Sequence, residues 1–213
     1  MPKFITSIVP EKTALLVVDM SNGFVGPDYP FCVERGTKFA PKINALLNEF
    51  RSRSMFVLFT THVFRADKAD LPRNVRLCEW SGDGTVLLDG TPDVEVYPVC
   101  GPKEGEIVLK KHHYSSFFNT DLDVILRANG VDTIVITGVN TDICCHGTAT
   151  DAFFRSYKVI VLEDLNGTPG WEDCGLGNIS PDEQHLAFIN CLAATTAHVM
   201  SSDEFLSYLN KSA

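Results

Sequence analysis

Three residues far apart in the chain stand where an apolar run gives way to something else. Asp19 closes "TALLVVD", Lys111 closes "EIVLKK", and Cys144 opens the helical stretch that follows the apolar run "DTIVITG". A carboxylate, an ammonium and a thiol held together form a coherent chemical set. A cysteine in the first turn of a helix meets the positive end of the helix dipole and free N–H groups, which favour the thiolate. A nearby ammonium lowers the thiol pKa further. The carboxylate can take the thiol proton and pass it to a leaving amine, acting first as general base and then as general acid. Backbone N–H groups of the same turn can hold an oxyanion, an interaction worth ~3 kcal/mol per donor in other enzymes. Such a set describes hydrolysis of an amide through a thioester. Each member also has a plainer reading: a strand-ending Asp forms turns, Lys110 and Lys111 make a solvated strand end, and a helical Cys packs as a small hydrophobe.

These residues can meet only if separate elements bring them together. Short β-rich apolar runs at 13–19, 55–61, 106–111, 132–138, 158–164 and 195–200 show no alternation, as expected of parallel strands buried on both faces. Segments 37–53, 120–130, 141–156 and 180–194 carry apolar residues at helical spacing. Ser180 with Glu183, and Ser201 with Glu204, read as capping boxes, Pro181 suits a first helical position, and Gly130 suits a C-cap. The alternation predicts an α/β fold, a three-layer α/β/α sandwich with right-handed crossovers and a single domain over 1–213. In open parallel sheets ligands bind beyond the carboxyl ends of the strands, which is where Asp19, Lys111 and Cys144 fall. Segments 62–105 and 166–180 are too long for plain connections and are read as walls of the site.

Composition narrows the function further. The chain has 213 residues, 45% of them hydrophobic, and a formal net charge of −9, which argues against nucleic acid and anionic membrane as partners. No segment approaches the length of a membrane span, and the start of the chain lacks the pattern of a secretory signal. Its seven cysteines are spread out, with no CxxC pair, so free thiols in a cytoplasmic protein are expected, with no disulfide framework, metal site or cofactor.

Longer motifs sharpen this picture. "ALLVVDMSNGF", "VLKKHHYSSFFNTDLDVIL" and "ITGVNTDICCHGTATDAFFRSYKVIVLED" resemble, in order and spacing, three motifs of the isochorismatase-like cysteine hydrolase superfamily. That family includes nicotinamidases, N-carbamoylsarcosine amidohydrolases and ureido-amide hydrolases. The register of the resemblance selects Lys111 over Lys110 and Cys144 over Cys145; Cys145 stands where the family has valine, and Ser21 where it has glutamine. The resemblance implies a six-stranded, mainly parallel sheet ordered 3-2-1-4-5-6. It implies Asp19, Lys111 and Cys144 as catalytic residues, and a cis peptide before Asn140 that turns the Asn140 and Cys144 N–H groups into an oxyanion hole. It also implies a small-molecule amide substrate and a homo-oligomer, dimer or tetramer.

Within the family, enol-ether hydrolases lack the nucleophilic cysteine, so Cys144 points to C–N cleavage. Nicotinamidases carry a metal-binding D-x-H after the second strand, and here that segment, "FTTHVF", has His62 and Phe64 instead. A linear carbamoyl or ureido compound is therefore the expected substrate. Isochorismatase-type hydrolysis, nicotinamide hydrolysis and a non-enzymatic binding domain are the alternatives. Asn22, Phe24, Trp80, His113, Tyr114 and Phe117 are the expected pocket residues, with Asn140 as a further hydrogen-bonder.

Overall fold

A computed structural model describes residues 7–29, 31–71, 86–173 and 175–211. Its centre is a sheet of six parallel strands: β1 (Thr13–Val18), β2 (Phe56–His62), β3 (Ile107–Lys111), β4 (Thr133–Val139), β5 (Lys158–Gly167) and β6 (His198–Met200). The order is β3-β2-β1-β4-β5-β6, the topology expected. Every residue of β1 and β4 is buried, which is why these strands read as unbroken apolar runs.

Successive side chains on β1 serve opposite faces, as the two-residue period of a strand requires. Leu15 and Val17 pack with α2 (Glu34–Ser52) and the last helix, α6 (Ser202–Lys211), where Phe50 stacks on Phe205 at 5.7 Å. Ala14, Leu16 and Val18 pack with α3 (Leu122–Ala128), α4 (His146–Phe154) and α5 (Pro181–Thr195). The result is the three-layer sandwich. Ser180 caps α5 with the full reciprocal box to Glu183, and Pro181 occupies the first turn. No helix among the described residues is long and apolar enough to cross a membrane.

Several boundaries differ from the sequence reading. β5 continues to Gly167, three residues past the expected end, because the Asn166 side chain is buried and donates to Ile136 O (3.2 Å) and Leu162 O (2.7 Å) across a register shift in β4. Asp164 is not a free strand end. It accepts from the Ser202 N–H and hydroxyl, both at 2.7 Å, and from Lys42 at 2.7 Å, so it anchors the start of α6. A short α1 (Asn22–Val25) follows β1 and docks on 62–105, its Asn22 N–H donating to Glu95 O at 2.9 Å.

Candidate active site

Strand register brings the reactive side chains to one edge. Val18 lies opposite Thr60 on one side and Gly138 on the other, and His62 lies opposite Lys111. Asp19, His62, Lys111 and the turn after β4 therefore meet at the carboxyl ends of neighbouring strands. Asp19 takes a left-handed backbone conformation (φ 51°), uncommon for a residue with a side chain and found most often where function demands it. Its N–H donates to Thr60 O at 3.1 Å, and the Thr60 hydroxyl donates to Asp19 Oδ1 at 2.9 Å. Thr60 thus holds both the backbone and one carboxylate oxygen of Asp19, which is completely buried.

Lys111 carries its ammonium into the same space, also with no exposure to solvent. Nζ forms an ion pair with Asp19 Oδ2 at 2.7 Å and lies within hydrogen-bond reach of His113 O at 3.0 Å, Cys144 Sγ at 3.3 Å and His62 Nδ1 at 3.4 Å. Burial works to neutralise the amine, but the Asp19 charge leads the opposing effects, so the Lys111 pKa is raised and the group is an ammonium.

Cys144 arrives by a different route. Gly138 has φ 120°, and a Cβ there would overlap the Val18 carbonyl oxygen, so only glycine lets β4 pass this close to β1. The Val139–Asn140 peptide is cis, and a wide π turn, Thr141–Cys145, leads into α4. Asn140 O accepts the N–H groups of Ile143 (3.2 Å) and Cys145 (3.0 Å), on either side of Cys144. Both cysteines border the apolar cluster that holds Ala149 and Val161, and Cys144 is the one whose sulfur accepts from Lys111.

The protonation of Cys144 departs from the sequence reading. A helix terminus and an ammonium were expected to favour the thiolate. Burial is the larger effect and pushes the thiol up to about 12; Lys111 lowers it, and the Asp19 carboxylate raises it again. The resting group is a neutral thiol beside a carboxylate.

Asp19, His62 and Cys144 also form a buried group whose donor atoms all lie within 4.8 Å of one another, the spacing of a metal site. Its cation is already present: the Lys111 ammonium touches all three. His62, placed by sequence at a metal-ligand position of nicotinamidases, is here an acceptor beside Lys111. Its pKa is driven well below the usual value first by burial and then by the Lys111 charge, so the imidazole is neutral.

The expected pocket residues separate. Tyr114 is half-exposed and lies flat against His62 (centroids 6.2 Å apart), and His113 reaches Lys111 through its carbonyl while its ring meets Phe118 edge-on. Asn22 donates its side-chain N–H to Pro92 O at 2.8 Å, and Phe24 packs with Phe31 against the cluster of Val63, Phe64, Leu87 and Val94. The Asn140 side-chain oxygen is buried without a partner. Phe117 is a correction. It is buried against Tyr157 (5.7 Å) with Arg155 over its ring, and Tyr157 precedes β5 at the amino end of the sheet, opposite Asp19. Trp80 lies outside the described residues.

Sequence reasoning missed the groups that hold the turn before Cys144. Asp142 Oδ2 accepts from Trp171 Nε1 (2.9 Å) and Gln184 Nε2 (2.6 Å), and Thr141 Oγ1 pairs with His185 Nδ1 at 2.9 Å. A bridge between Trp171 and Ile179 closes the β5–α5 loop above it. No motif announces these contacts, because each joins residues 29 to 44 positions apart.

The isochorismatase domain model matches residues 13–204. A cysteine hydrolase structure from Pseudomonas syringae pv. phaseolicola superposes with a TM-score of 0.93 at 32% identity, covering 100% of this chain and 99% of the other. The ureidoacrylate amidohydrolase RutB of Klebsiella pneumoniae is 31% identical over 182 residues, 77% of each chain. The structure of N-carbamoylsarcosine amidase from Thermoplasma acidophilum has a TM-score of 0.70 at 31% identity, covering 90% of this chain and 97% of that one.

Proposed function

Because the chain belongs to the isochorismatase family, we propose that it is a cysteine-dependent amidohydrolase. It cleaves the C–N bond of a small linear carbamoyl or ureido compound through a thioester. The observation that carries this reading is the single ammonium of Lys111 lying in contact with both Asp19 (2.7 Å) and Cys144 Sγ (3.3 Å). The relatives named for ureidoacrylate and N-carbamoylsarcosine hydrolysis support the substrate class.

In this mechanism Asp19 takes the Cys144 proton as the sulfur attacks the carbonyl carbon. A thiol with a pKa of about 12 reacts slowly unaided, so the base must sit in contact with it. Lys111 offsets the negative charge that passes from oxygen to sulfur. The carbonyl oxygen becomes an oxyanion held by the N–H groups of Asn140 and Cys144. When the C–N bond breaks, Asp19 returns the proton to the leaving nitrogen, releasing ammonia or an amine. Asp19 then deprotonates a water whose oxygen adds to the thioester carbon. The carbon–sulfur bond breaks, and the departing thiolate takes that proton back from Asp19, restoring both groups. All atoms and protons balance without a cofactor.

Neither rival reading gains a specific observation. Phe64 stands at the second ligand position of the nicotinamidase metal segment, and a thiol beside a base has no part in enol-ether hydrolysis. The five cysteines among the described residues are free thiols, which fits a cytoplasmic enzyme. Ammonia release from a panel of carbamoyl and ureido acids tests the proposal: Cys144→Ala abolishes it and Cys145→Ala retains most of it. Full activity in Cys144→Ala would overturn it.

A further inference from the structure

Three polar side chains lead up to Cys144, and two of them are already engaged. Thr141 Oγ1 pairs with His185 Nδ1 at 2.9 Å, and Asp142 Oδ2 accepts from Trp171 Nε1 and Gln184 Nε2. Both are therefore turned towards α5 and the loop before it. The third, Asn140, is partly buried, and its Oδ1 is enclosed with no hydrogen-bond donor among the described residues. Resting on the cysteine-hydrolase reading above, we propose that Asn140 is a specificity-determining residue. Its Oδ1 accepts the N–H on the side of the substrate carbonyl that is not cleaved. The substrate class is thereby narrowed from small amides to compounds with nitrogen on both sides of the carbonyl.

Spacing places Asn140 on the Cys144 side of the turn. In a turn of helical sense residues four apart share a face, and residues two apart do not. Cys144 comes four residues after Asn140 and two after Asp142, in keeping with Asp142 reaching away to Gln184. The Asn140 carbonyl accepts from Ile143 (3.2 Å) and Cys145 (3.0 Å), which draws the backbone on either side of Cys144 back over Asn140. Asn140 O is thus occupied, and Oδ1 is the residue's idle acceptor. Asp142 Oδ1 and Gln184 Oε1 also lack donors, but those two side chains hold one another at 2.6 Å on the far side of the turn.

In the mechanism the Asn140 N–H holds the oxyanion, so the side chain of the same residue stands beside the substituents of the reacting carbon. Asp19 serves the nitrogen that leaves, and Oδ1 is left for the other substituent. In a carbamoyl or ureido compound that substituent is an N–H, which pairs with Oδ1. In a plain carboxamide it is a CH2, and Oδ1 stays buried and unpaired in the complex as well. Nicotinamide, whose carbonyl is attached to a ring carbon, offers no N–H there either. A site that hydrogen-bonds a substrate N–H discriminates strongly against the analogue that lacks it.

The test pairs each ureido acid with the isostere in which CH2 replaces the retained N–H: hydantoate with succinamate, and 3-ureidopropionate with glutaramate. Values of kcat/KM for ammonia release are measured in wild type, Asn140→Leu, Asn140→Asp and Cys144→Ala, with intact fold checked by thermal melting. The ratio of ureido acid to isostere should fall about tenfold or more in Asn140→Leu. Asn140→Asp keeps an acceptor, so its ratio stays close to that of wild type, although its charge opposes the oxyanion and slows both members of a pair. Should leucine not be accommodated, Asn140→Ala makes the same comparison. A ratio unchanged in the apolar variant overturns the proposal, as does Asn140→Asp behaving like Asn140→Leu. Wild type that releases ammonia from neither ureido acid overturns it too. Ammonia release by Cys144→Ala at the wild-type rate instead defeats the cysteine-hydrolase reading, and a ratio that still falls in Asn140→Leu leaves the role of Asn140 standing.

Discussion

Lys111 Nζ lies 2.7 Å from Asp19 Oδ2, and neither side chain has any exposure to solvent. Two opposite charges buried at the carboxyl ends of the strands do not contribute to folding as an apolar pair would, because desolvation offsets most of their attraction. They are retained at the site where the proposed chemistry needs both.

Removing one partner therefore leaves the other charge stranded. Lys111→Met and Asp19→Asn each lower stability by about 3–5 kcal/mol, and the double variant recovers most of that loss. Urea unfolding of the four proteins measures it. None of the three variants releases ammonia, so stability and activity part company in the double variant. A double variant no more stable than the singles would contradict this account of the pair.

Stability also depends on pH through His185, which pairs with Thr141, the first residue of the π turn. Burial, and then the nearby Arg35 charge, lower its pKa to about 4 from the usual 6.5. A depressed pKa means that the unfolded chain takes up the proton first. The stabilisation is present above about 6.5 and is lost as pH falls through about 4. Melting temperatures of wild type should fall across that window, and His185→Gln should flatten the fall. An unchanged acid limb would show that other groups govern it.

The Gly138 and Gly130 backbones are both left-handed, at φ 120° and 69°, but their surroundings differ. An added methyl at Gly130 meets nothing within 4 Å, so Gly130→Ala costs only the conformational strain, about 1 kcal/mol. At Gly138 the methyl collides with the Val18 carbonyl, and the β4 end that leads to Asn140 must move. Gly138→Ala should melt far lower than Gly130→Ala and release no ammonia. Equal melting points for the two would contradict the close approach of β1 and β4.

The sheet was legible because β1 and β4, buried on both faces, read as apolar runs that end beside Asp19 and Cys144. The edge strand β3 alternates between exposed and more buried residues and ends in Lys111. Lys110 and Lys111 are adjacent, and strand alternation separates them. Lys110 points out to Asp89 at 2.6 Å, and Lys111 points in. What stayed hidden depends on depth and on long-range contact. The thiol state of Cys144 follows from complete burial, which outweighs the ammonium that sequence could anticipate. His62 was read by its motif position as a failed metal ligand, and only the register opposite Lys111 reveals it as an acceptor. Asn166 and Gly167 look like a loop because of their residue types, yet burial makes them strand.

The central claim is that Cys144 becomes covalently acylated during turnover, and rapid acid quench followed by peptide mass spectrometry tests it most directly. Wild-type enzyme mixed with a carbamoyl or ureido acid that it hydrolyses should show a transient acyl group on the peptide bearing Cys144 and Cys145. The adduct should persist in Cys145→Ala, vanish in Cys144→Ala, and form and decay at least as fast as ammonia appears. Ammonia release by Cys144→Ala at the wild-type rate, with no adduct on the peptide, would contradict the account.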